Sequence, residues 1–144
     1  MESPDIKTRI IEGMKKNGLK LTRQRLEIID ILAHENSHPT ASAILAKARK
    51  QAPSISLSTV YYTLDAMKRA GLIRELEFSD RDSRYEGDAS DHLNLVCNEC
   101  GKIEDFKAPK PVPLKKVEKK TGFRVDSVRF EYYGLCKECR TKSE

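Results

Sequence analysis

Long apolar segments are missing from this chain: none of its 144 residues lie in a run that approaches the ~18 apolar residues of a membrane-spanning helix. The first residues also lack the charged and then apolar pattern of a secretory signal peptide. Internal repeats and low-complexity tracts are absent as well. These absences predict a cytoplasmic protein with no membrane partner, and the length fits one or two small domains.

Cysteine is scarce, and its four copies form two CxxC pairs, Cys97/Cys100 and Cys136/Cys139. In a reducing compartment, this pattern favours a metal site over disulfides. Four thiolates complete the tetrahedral coordination of Zn²⁺ and leave no open position for catalysis. We therefore predict one structural zinc ion per subunit. Because no nucleophile–base pair is visible either, we predict that the protein is not an enzyme and has no small-molecule substrate.

Two other uses of the cysteines stay open. A redox-active CxxC would need a thioredoxin-like βαβ context, which the surrounding sequence does not show. The zinc-bound thiolates could also serve as an oxidation switch.

The positive charge is confined to one half of the chain. Residues 1–74 contain 13 Lys/Arg and 7 Asp/Glu, a net charge of +6, whereas residues 75–144 contain 14 and 15, a net charge of −1. A basic half beside a neutral half is typical of a nucleic-acid-binding protein with a separate second domain. A solvated, lysine-rich surface would give the same totals.

The N-terminal half has the pattern of a winged helix-turn-helix domain. Apolar residues at helical spacing predict four short helices, which begin near Ile6, Thr22, Pro39 and either Ser56 or Ser58. Residues 73–78 and 83–86 read as a hairpin around a polar turn. The helix pair at about 40–70 would be the helix-turn-helix itself.

The C-terminal half predicts a small α/β unit. Strands are expected at His92–Val96 and at Phe123–Tyr132, which alternates cleanly, with a helix at Leu114–Thr121 between them. A unit of this size needs a metal ion and dimerisation for stability. We thus predict an α+β protein with a DNA-binding domain at 1–86, a hinge at 87–91 and a dimerisation and zinc-binding domain at 92–144.

The fourth helix is predicted to enter the major groove of double-stranded DNA. Hydroxyl groups in its first turn can contact phosphates or bases, and Tyr61 can pack against a thymine methyl. The candidate DNA contacts are Arg23, Arg25, Ser56, Ser58, Thr59, Tyr61, Tyr62 and Arg84, with Lys68, Arg69 and Arg81 as further candidate phosphate contacts. Core packing is the alternative for Tyr61, and plain solvation is the alternative for each basic residue.

A second group of possible ligands is spread over both halves. His38, Glu86, His92 and Asp105 offer imidazole and carboxylate donors, which suit Mn²⁺, Fe²⁺ or Zn²⁺. A metal ion held by all four would fix the angle between the domains, although no sequence rule gathers them. Taken singly, His38 has the pattern of a solvent-exposed residue beside a helix start, and Asp105 that of a turn or edge carboxylate.

Taken together, these motifs resemble the ferric uptake regulator (Fur) family of bacterial transcription factors, in particular its peroxide-sensing PerR branch. The resemblance covers nearly the whole chain. It rests on residues 21–25 (LTRQR), 38–41 (HPTA), 58–61 (STVY), 70–73 (AGLI), 90–92 (SDH), 97–102 (CNECGK), 133–136 (YGLC) and Cys139.

The resemblance implies a homodimer that represses transcription from an AT-rich inverted repeat, with Fe²⁺ or Mn²⁺ as corepressor. It implies structural zinc at the four cysteines and a regulatory metal at His38, Glu86, His92, the position of Asn94, and Asp105. Aspartate at position 105 is similar to the peroxide-sensing branch, whereas Glu86 is more similar to the iron-uptake regulators. In that branch, oxidation of ligand histidines reports peroxide, so His38 and His92 would be its targets.

Three features depart from the family pattern. Asn94 stands where both branches usually have histidine, and a neutral amide oxygen is a weaker donor. Tyr62 stands where relatives often carry arginine or asparagine in the recognition helix. Only three histidines occur, His34, His38 and His92, so an additional histidine-based metal site is not expected. The alternative function is therefore a zinc-stabilised DNA-binding regulator of the same fold that no regulatory metal controls.

Overall fold

The computed structural model describes residues 5–34, 38–88 and 90–143. The chain divides into two compact units, residues 1–89 and 90–144. Each unit is described by itself.

Within residues 5–34 and 38–88, the first unit has four helices followed by a two-stranded hairpin. Its elements are α1 (Ile6–Lys16), α2 (Arg23–His34), α3 (Ala41–Ala48), α4 (Leu57–Arg69), β1 (Arg74–Leu76) and β2 (Arg84–Glu86). The strands are antiparallel, and Arg74 lies opposite Glu86. Helix α3 packs against both α2 and α4. This is a winged helix-turn-helix, with α3 and α4 as the helix pair and the β1–β2 hairpin as the wing, as the sequence predicts.

Local sequence signals set where these helices begin and end. The side chains of Asp5, Thr40 and Ser56 accept hydrogen bonds from backbone N–H groups in the first turns of α1, α3 and α4. Gly71 follows α4 with a positive φ of 73°, which a residue with a side chain adopts only at a cost. The turn into β1 therefore starts at this glycine.

The core of the first unit collects one apolar face from each helix. Ile10, Ile28, Ile44 and Leu64, one each from α1 to α4, are all at most 1% exposed. Tyr85 of β2 joins the same cluster. The wing is thus anchored to the helices by a buried aromatic side chain.

Over residues 90–143, the second unit is built on a three-stranded sheet with two short helices. Its elements are β3 (His92–Cys97), β4 (Ile103–Lys107), α5 (Leu114–Thr121), β5 (Glu131–Gly134) and α6 (Lys137–Ser143). The strand order is β4-β3-β5; β3 is antiparallel to β4 and parallel to β5. The α+β fold class is confirmed.

One sequence prediction about this unit is wrong. The alternation over Phe123–Tyr132 predicts a single strand, but β5 begins only at Glu131, and residues 123–130 have no strand structure. A strand needs a hydrogen-bonding partner as well as alternation. The central strand β3 pairs with β5 only from Asn94 to Cys97, and among the described residues its backbone contact with the earlier part of the segment is one hydrogen bond, from the Asn94 N–H to the carbonyl of Phe130 at 3.0 Å.

The packing of the first unit predicts a clear difference between two substitutions in α3. Ile44→Ala should destabilise the first unit by about 2–5 kcal/mol, because it leaves a cavity in a fully buried site. Ser42→Ala, on the exposed side of the same helix, should change stability by no more than about 0.5 kcal/mol. Denaturant unfolding followed by circular dichroism measures both. Equal effects of the two substitutions would contradict the helix orientation.

Candidate metal centre and nucleic-acid interface

The four cysteines come together within the second unit. Cys97 is the last residue of β3, Cys100 follows in the next turn, and Cys136 and Cys139 lie at the start of α6. Their sulfur atoms all lie within 4.8 Å of one another, and the Sγ atoms of Cys100 and Cys136 are 3.7 Å apart. A tetrahedral ion with Zn–S bonds of about 2.3 Å separates its sulfur ligands by about 3.8 Å. The cluster therefore fits one tetrahedral metal ion.

Backbone turns hold the first pair of thiols in place. Gly101 has a φ of 77°, and its N–H donates to the carbonyl of Cys97 at 3.0 Å. The N–H of Cys97 donates to the carbonyl of Lys102 at 2.9 Å. The N–H of Asn98 donates to Gly134 at 2.8 Å, which joins the knuckle to the end of β5. The two CxxC segments are thus fixed to the same end of the sheet.

The thiols differ in how readily they lose a proton. Backbone N–H groups of Cys100 and then of Cys136 point at the Cys97 sulfur and lower the pKa of Cys97 to about 6. The Cys136 thiol, together with burial, raises the pKa of Cys139 to about 12. A thiolate therefore forms most easily at Cys97, whereas the neighbouring sulfur groups oppose a further negative charge at Cys139. A divalent cation removes that opposition, which is why the four groups suit a metal ion.

In the first unit, His38 and Glu86 form a buried pair. The Nε2 atom of His38 lies 3.0 Å from the Oε2 atom of Glu86, and their side chains are 2% and 4% exposed. The expectation that His38 is a solvent-exposed residue is therefore wrong. Glu86 ends β2 of the wing, and His38 lies just before α3 of the helix-turn-helix. The pair offers an imidazole and a carboxylate from the two parts of the DNA-binding fold.

The backbone at His38 is strained and is held by the wing. His38 has a φ of 55°, in the left-handed region that non-glycine residues occupy at a cost of about 1–3 kcal/mol. The Arg84 Nε–H donates to the carbonyl of His38, and the Tyr85 N–H donates to the carbonyl of Pro39 at 2.9 Å. These two hydrogen bonds from β2 fix the position of the imidazole.

In the second unit, three further predicted ligands share one place on the sheet. His92 and Asn94 are two residues apart on β3, so their side chains lie on the same face. Asp105 of β4 is the register partner of Asn94, and its Oδ1 lies 3.6 Å from the Nε2 atom of His92. Strand register therefore gathers an imidazole, an amide and a carboxylate.

Hydrogen bonding prepares His92 for a metal ion. Its Nδ1 atom lies 2.7 Å from the carbonyl oxygen of Ser90. A carbonyl can only accept, so Nδ1 carries the proton, and in the neutral ring Nε2 keeps its lone pair. Metal-bound histidines usually donate a hydrogen bond of this kind from the ring nitrogen that does not bind the metal.

Asn94 has a buried side-chain oxygen that a bound cation could satisfy. Its side chain is 4% exposed, and its Oδ1 atom accepts no hydrogen bond from any described residue. Leaving a buried acceptor unsatisfied costs about 1–3 kcal/mol. A cation bound at this oxygen would remove that cost.

Helix α4 presents most of the predicted DNA contacts on its exposed side. Ser58 is exposed, and Tyr61 and Tyr62 are 50% and 68% exposed, so core packing does not account for Tyr61. Ser56 has a structural task, since its Oγ atom accepts from the Thr59 N–H at 3.1 Å and lies 3.0 Å from the Thr59 hydroxyl. The N-terminal half of α4 is therefore an exposed surface of hydroxyl and aromatic groups.

The predicted basic contacts are tied to the protein in different ways. Arg23 donates to the carbonyl of Gln51 at 3.2 Å, and Arg25 donates to the carbonyl of Lys20 at 2.6 Å. The Arg25 guanidinium also lies 5.7 Å from the centre of the Tyr62 ring. Arg84 is half-buried, and its Nε–H donates to the carbonyl of His38. The sequence carries no signal for these carbonyl contacts or for the Arg25–Tyr62 stack, because they depend on how the helices pack.

The further basic candidates are engaged by carboxylates. Lys68 lies 2.9 Å from Glu75 and 3.4 Å from Glu77, Arg69 lies 3.0 Å from Asp65, and Arg81 lies 3.4 Å from Asp80.

None of the helices in the described residues has both the length and the apolar character that a membrane span requires.

Removal of the metal should unfold the second unit. Without an ion, the four thiols lose the interaction that joins β3 to α6, and structural metal sites contribute their binding energy to folding. We expect a strong chelator, or Cys139→Ser, to abolish cooperative unfolding of residues 90–144 while the helices of the first unit persist. Hydrogen exchange resolved by unit, with metal content measured in parallel, tests this. The exposed Ser127→Ala is the matched control, and retention of full protection in the metal-free protein would contradict a structural role.

Comparisons with known proteins agree with the geometry. Residues 16–133 match the ferric uptake regulator family. The peroxide operon regulator of Bacillus subtilis is 38% identical over 136 residues and 92% of each chain, and the peroxide-responsive repressor PerR of Staphylococcus saprophyticus is 35% identical over 92% of this chain and 90% of its own.

Solved structures of the same group have the same fold. The Helicobacter pylori ferric uptake regulator Fur has a TM-score of 0.73 at 32% identity, over 94% of this chain and 91% of its own. The Campylobacter jejuni peroxide stress regulator has a TM-score of 0.69 at 31% identity, over 90% and 98%. Family members regulate transcription and are not enzymes. The resemblance drawn from the motifs is thereby confirmed: this chain belongs to the ferric uptake regulator family of metal-responsive regulators.

Proposed function

We propose that the protein is a homodimeric, metal-dependent repressor that binds an AT-rich inverted repeat in double-stranded DNA. The observation that carries the proposal is the position of the buried His38–Glu86 pair. One ligand precedes the helix-turn-helix and the other ends the wing, so a cation there acts directly on the parts that contact DNA. We assign DNA binding to residues 1–86, a hinge to 87–91 and dimerisation to 92–144.

The four-cysteine cluster is proposed to hold one structural Zn²⁺ per subunit. Zinc prefers thiolate ligands, and four of them close its coordination, so the ion stabilises the fold and does no chemistry. None of the four cysteines, which all lie in the described part of the chain, forms a disulfide, and this suits the reducing cytoplasm where the proposal places the protein.

The regulatory ion is proposed to be Fe²⁺ or Mn²⁺, ligated by His38 and Glu86 together with His92, Asn94 and Asp105. The donor set supports this, because two imidazoles, two carboxylates and an amide oxygen suit these ions. Bound Fe²⁺ would supply reactivity towards peroxide, and the ligand histidines would then be oxidised. Metal occupancy would control repression if the ion binds the form of the dimer that recognises DNA more tightly than other forms.

Dimerisation is supported by the exposed apolar side chains of the second unit. Phe106, Phe123 and Tyr132 are 59%, 65% and 62% exposed. Such a concentration of exposed aromatic side chains in a small unit is typical of a protein–protein interface. Pairing of two copies would place two α4 helices against successive half-sites.

The second candidate function keeps DNA binding and omits the regulatory metal. Asn94 favours it, because an amide oxygen is a neutral donor in a position that the resemblance gives to histidine. Fluorescence anisotropy of zinc-loaded protein on promoter DNA, with and without Mn²⁺ or anaerobic Fe²⁺, separates the two functions. Binding that depends on the added metal supports the repressor, and equal binding supports the constitutive regulator.

Replacement of His92 tests the regulatory site at its best-defined ligand. We expect His92→Ala to remove the metal-dependent gain in DNA affinity, which for coupled sites is about 5- to 150-fold. His34→Ala is the control, because His34 is exposed at the end of α2. Anisotropy titrations at fixed zinc and varied Mn²⁺ measure the gain. If His92→Ala keeps the gain, His92 is not a ligand.

Replacement of Asn94 by leucine should have opposite effects on stability and on metal binding. Without the regulatory metal, Asn94→Leu should leave the second unit as stable or more stable, because it removes an unsatisfied buried acceptor. It should also weaken Mn²⁺ binding by about tenfold, or ~1.4 kcal/mol. Calorimetric metal titration and thermal unfolding of the zinc-loaded protein provide the two readouts. Unchanged Mn²⁺ affinity would show that Asn94 is not a ligand.

A further inference from the structure

The exposed face of α4 has little cationic charge of its own. Its exposed residues in the first turns are Leu57, Ser58, Tyr61 and Tyr62, none of them basic, and its first basic residues are Lys68 and Arg69 in the last turn. Both of these are engaged by carboxylates, Lys68 by those of β1 and the segment that follows it, and Arg69 by Asp65. Helix α4 therefore brings no guanidinium of its own to the part of its face that would meet base edges.

Helix α2 supplies a guanidinium at this place. The Arg25 guanidinium lies over the ring of Tyr62 at 5.7 Å, and one of its N–H groups donates to the carbonyl of Lys20 at 2.6 Å. The ring holds the cation from one side, and the carbonyl fixes its rotation. Tyr62 is 68% exposed, so the pair lies at the surface.

The constraints on Arg25 leave its other N–H groups available as donors. A planar guanidinium that is held before binding loses less conformational entropy when it forms a bidentate hydrogen bond. In the major groove, the O6 and N7 atoms of guanine are the matching pair of acceptors for such a group. Arg23 is held differently, because it donates to the carbonyl of Gln51, beyond the end of α3, and has no ring contact with α4 among the described residues.

We infer that Arg25 and Tyr62 act together as one base-reading element, in which Arg25 donates to guanine and Tyr62 positions it. The inference rests on the proposed DNA binding and names a specificity determinant within it. The element spans two helices: α4 carries the ring into the groove, and α2 provides the charge. Tyr62 is a positioning residue, and its hydroxyl is not required for this role.

Selection from a random pool of DNA duplexes tests the inference, because the selection itself identifies the operator sequence. The full-length protein, loaded with zinc and Mn²⁺, is compared with Tyr62→Phe, Tyr62→Leu and Arg25→Gln. Tyr62→Phe keeps the aromatic ring and removes only the hydroxyl group. It is the matched control for Tyr62→Leu, which removes the ring but keeps an apolar side chain. Affinity for the selected duplex, for its single-base variants and for an unrelated duplex is then measured over a range of salt.

The wild type and Tyr62→Phe should select the same half-site, with a guanine whose replacement weakens binding. Tyr62→Leu and Arg25→Gln should each lose about 5- to 100-fold of the discrimination at that one base. The double variant, Tyr62→Leu with Arg25→Gln, should lose little more discrimination at that base than either single variant, because the two side chains act as a unit. Affinity for the unrelated duplex should stay nearly constant in Tyr62→Leu.

Three results would overturn the inference. The first is a selected site without guanine, and the second is full discrimination in Tyr62→Leu. The third is an Arg25→Gln variant that binds every duplex more weakly by the same factor and with a reduced salt dependence. The last result would make Arg25 a phosphate contact. A wild type that enriches no sequence would contradict the proposed function itself, and the inference with it. Thermal unfolding of each variant shows whether loss of the hydrogen bond from Arg25 to Lys20 affects folding. The comparison of Tyr62→Phe with Tyr62→Leu leaves that hydrogen bond in place, so it tests base reading separately from folding.

Discussion

The four-thiol cluster is the interaction on which the second unit depends. Among the described residues, α5 buries no side chain, and the buried apolar residues of this unit are few: Leu93, Val96, Cys97, Ile103 and Cys139. Two of these five are cysteines of the cluster. A unit this small buries too little apolar surface to be stable by itself. An ion bound by the thiols would therefore take the place of a hydrophobic core, and in the proposed dimer the apolar surface of the second copy would add to it.

The same strand connects this cluster to the possible regulatory ligands. Cys97 ends β3, and His92 and Asn94 lie at its beginning. The knuckle at one end holds β3 in register with β4, and that register places Asp105 opposite Asn94. A metal ion in the cysteine cluster would thus help to position the proposed regulatory ligands without contacting them. In the first unit, the wing does the same for His38, whose backbone conformation is held by two hydrogen bonds from β2.

The DNA-binding surface depends on cooperation between helices. Helix α4 has the exposed hydroxyl and aromatic groups, but its own basic residues are bound to carboxylates. In the proposed function, the excess positive charge of residues 1–74 would act as a field that attracts DNA. The charges that are held in defined positions, such as Arg25 on Tyr62, come from other parts of the unit.

The sequence by itself determined the features that have short spacing. The two CxxC pairs, the capping residues Thr40 and Ser56, and the helical periodicity of the first unit all act within a few residues, so they are readable without the fold. The family motifs added the order of the parts. These signals predicted the winged helix-turn-helix, the cysteine cluster and the C-terminal α/β unit.

Only the tertiary structure decided the features that join distant residues. Strand pairing limited β5 to Glu131–Gly134, although the alternation extends from Phe123. The wing buried His38, and register left the Asn94 oxygen without a hydrogen bond among the described residues. Packing of α2 near α4 placed Arg25 on Tyr62. The reason is physical: side-chain spacing sets a local period, whereas the partner of a strand or ring is chosen by packing and hydrogen bonds over long separations in the chain.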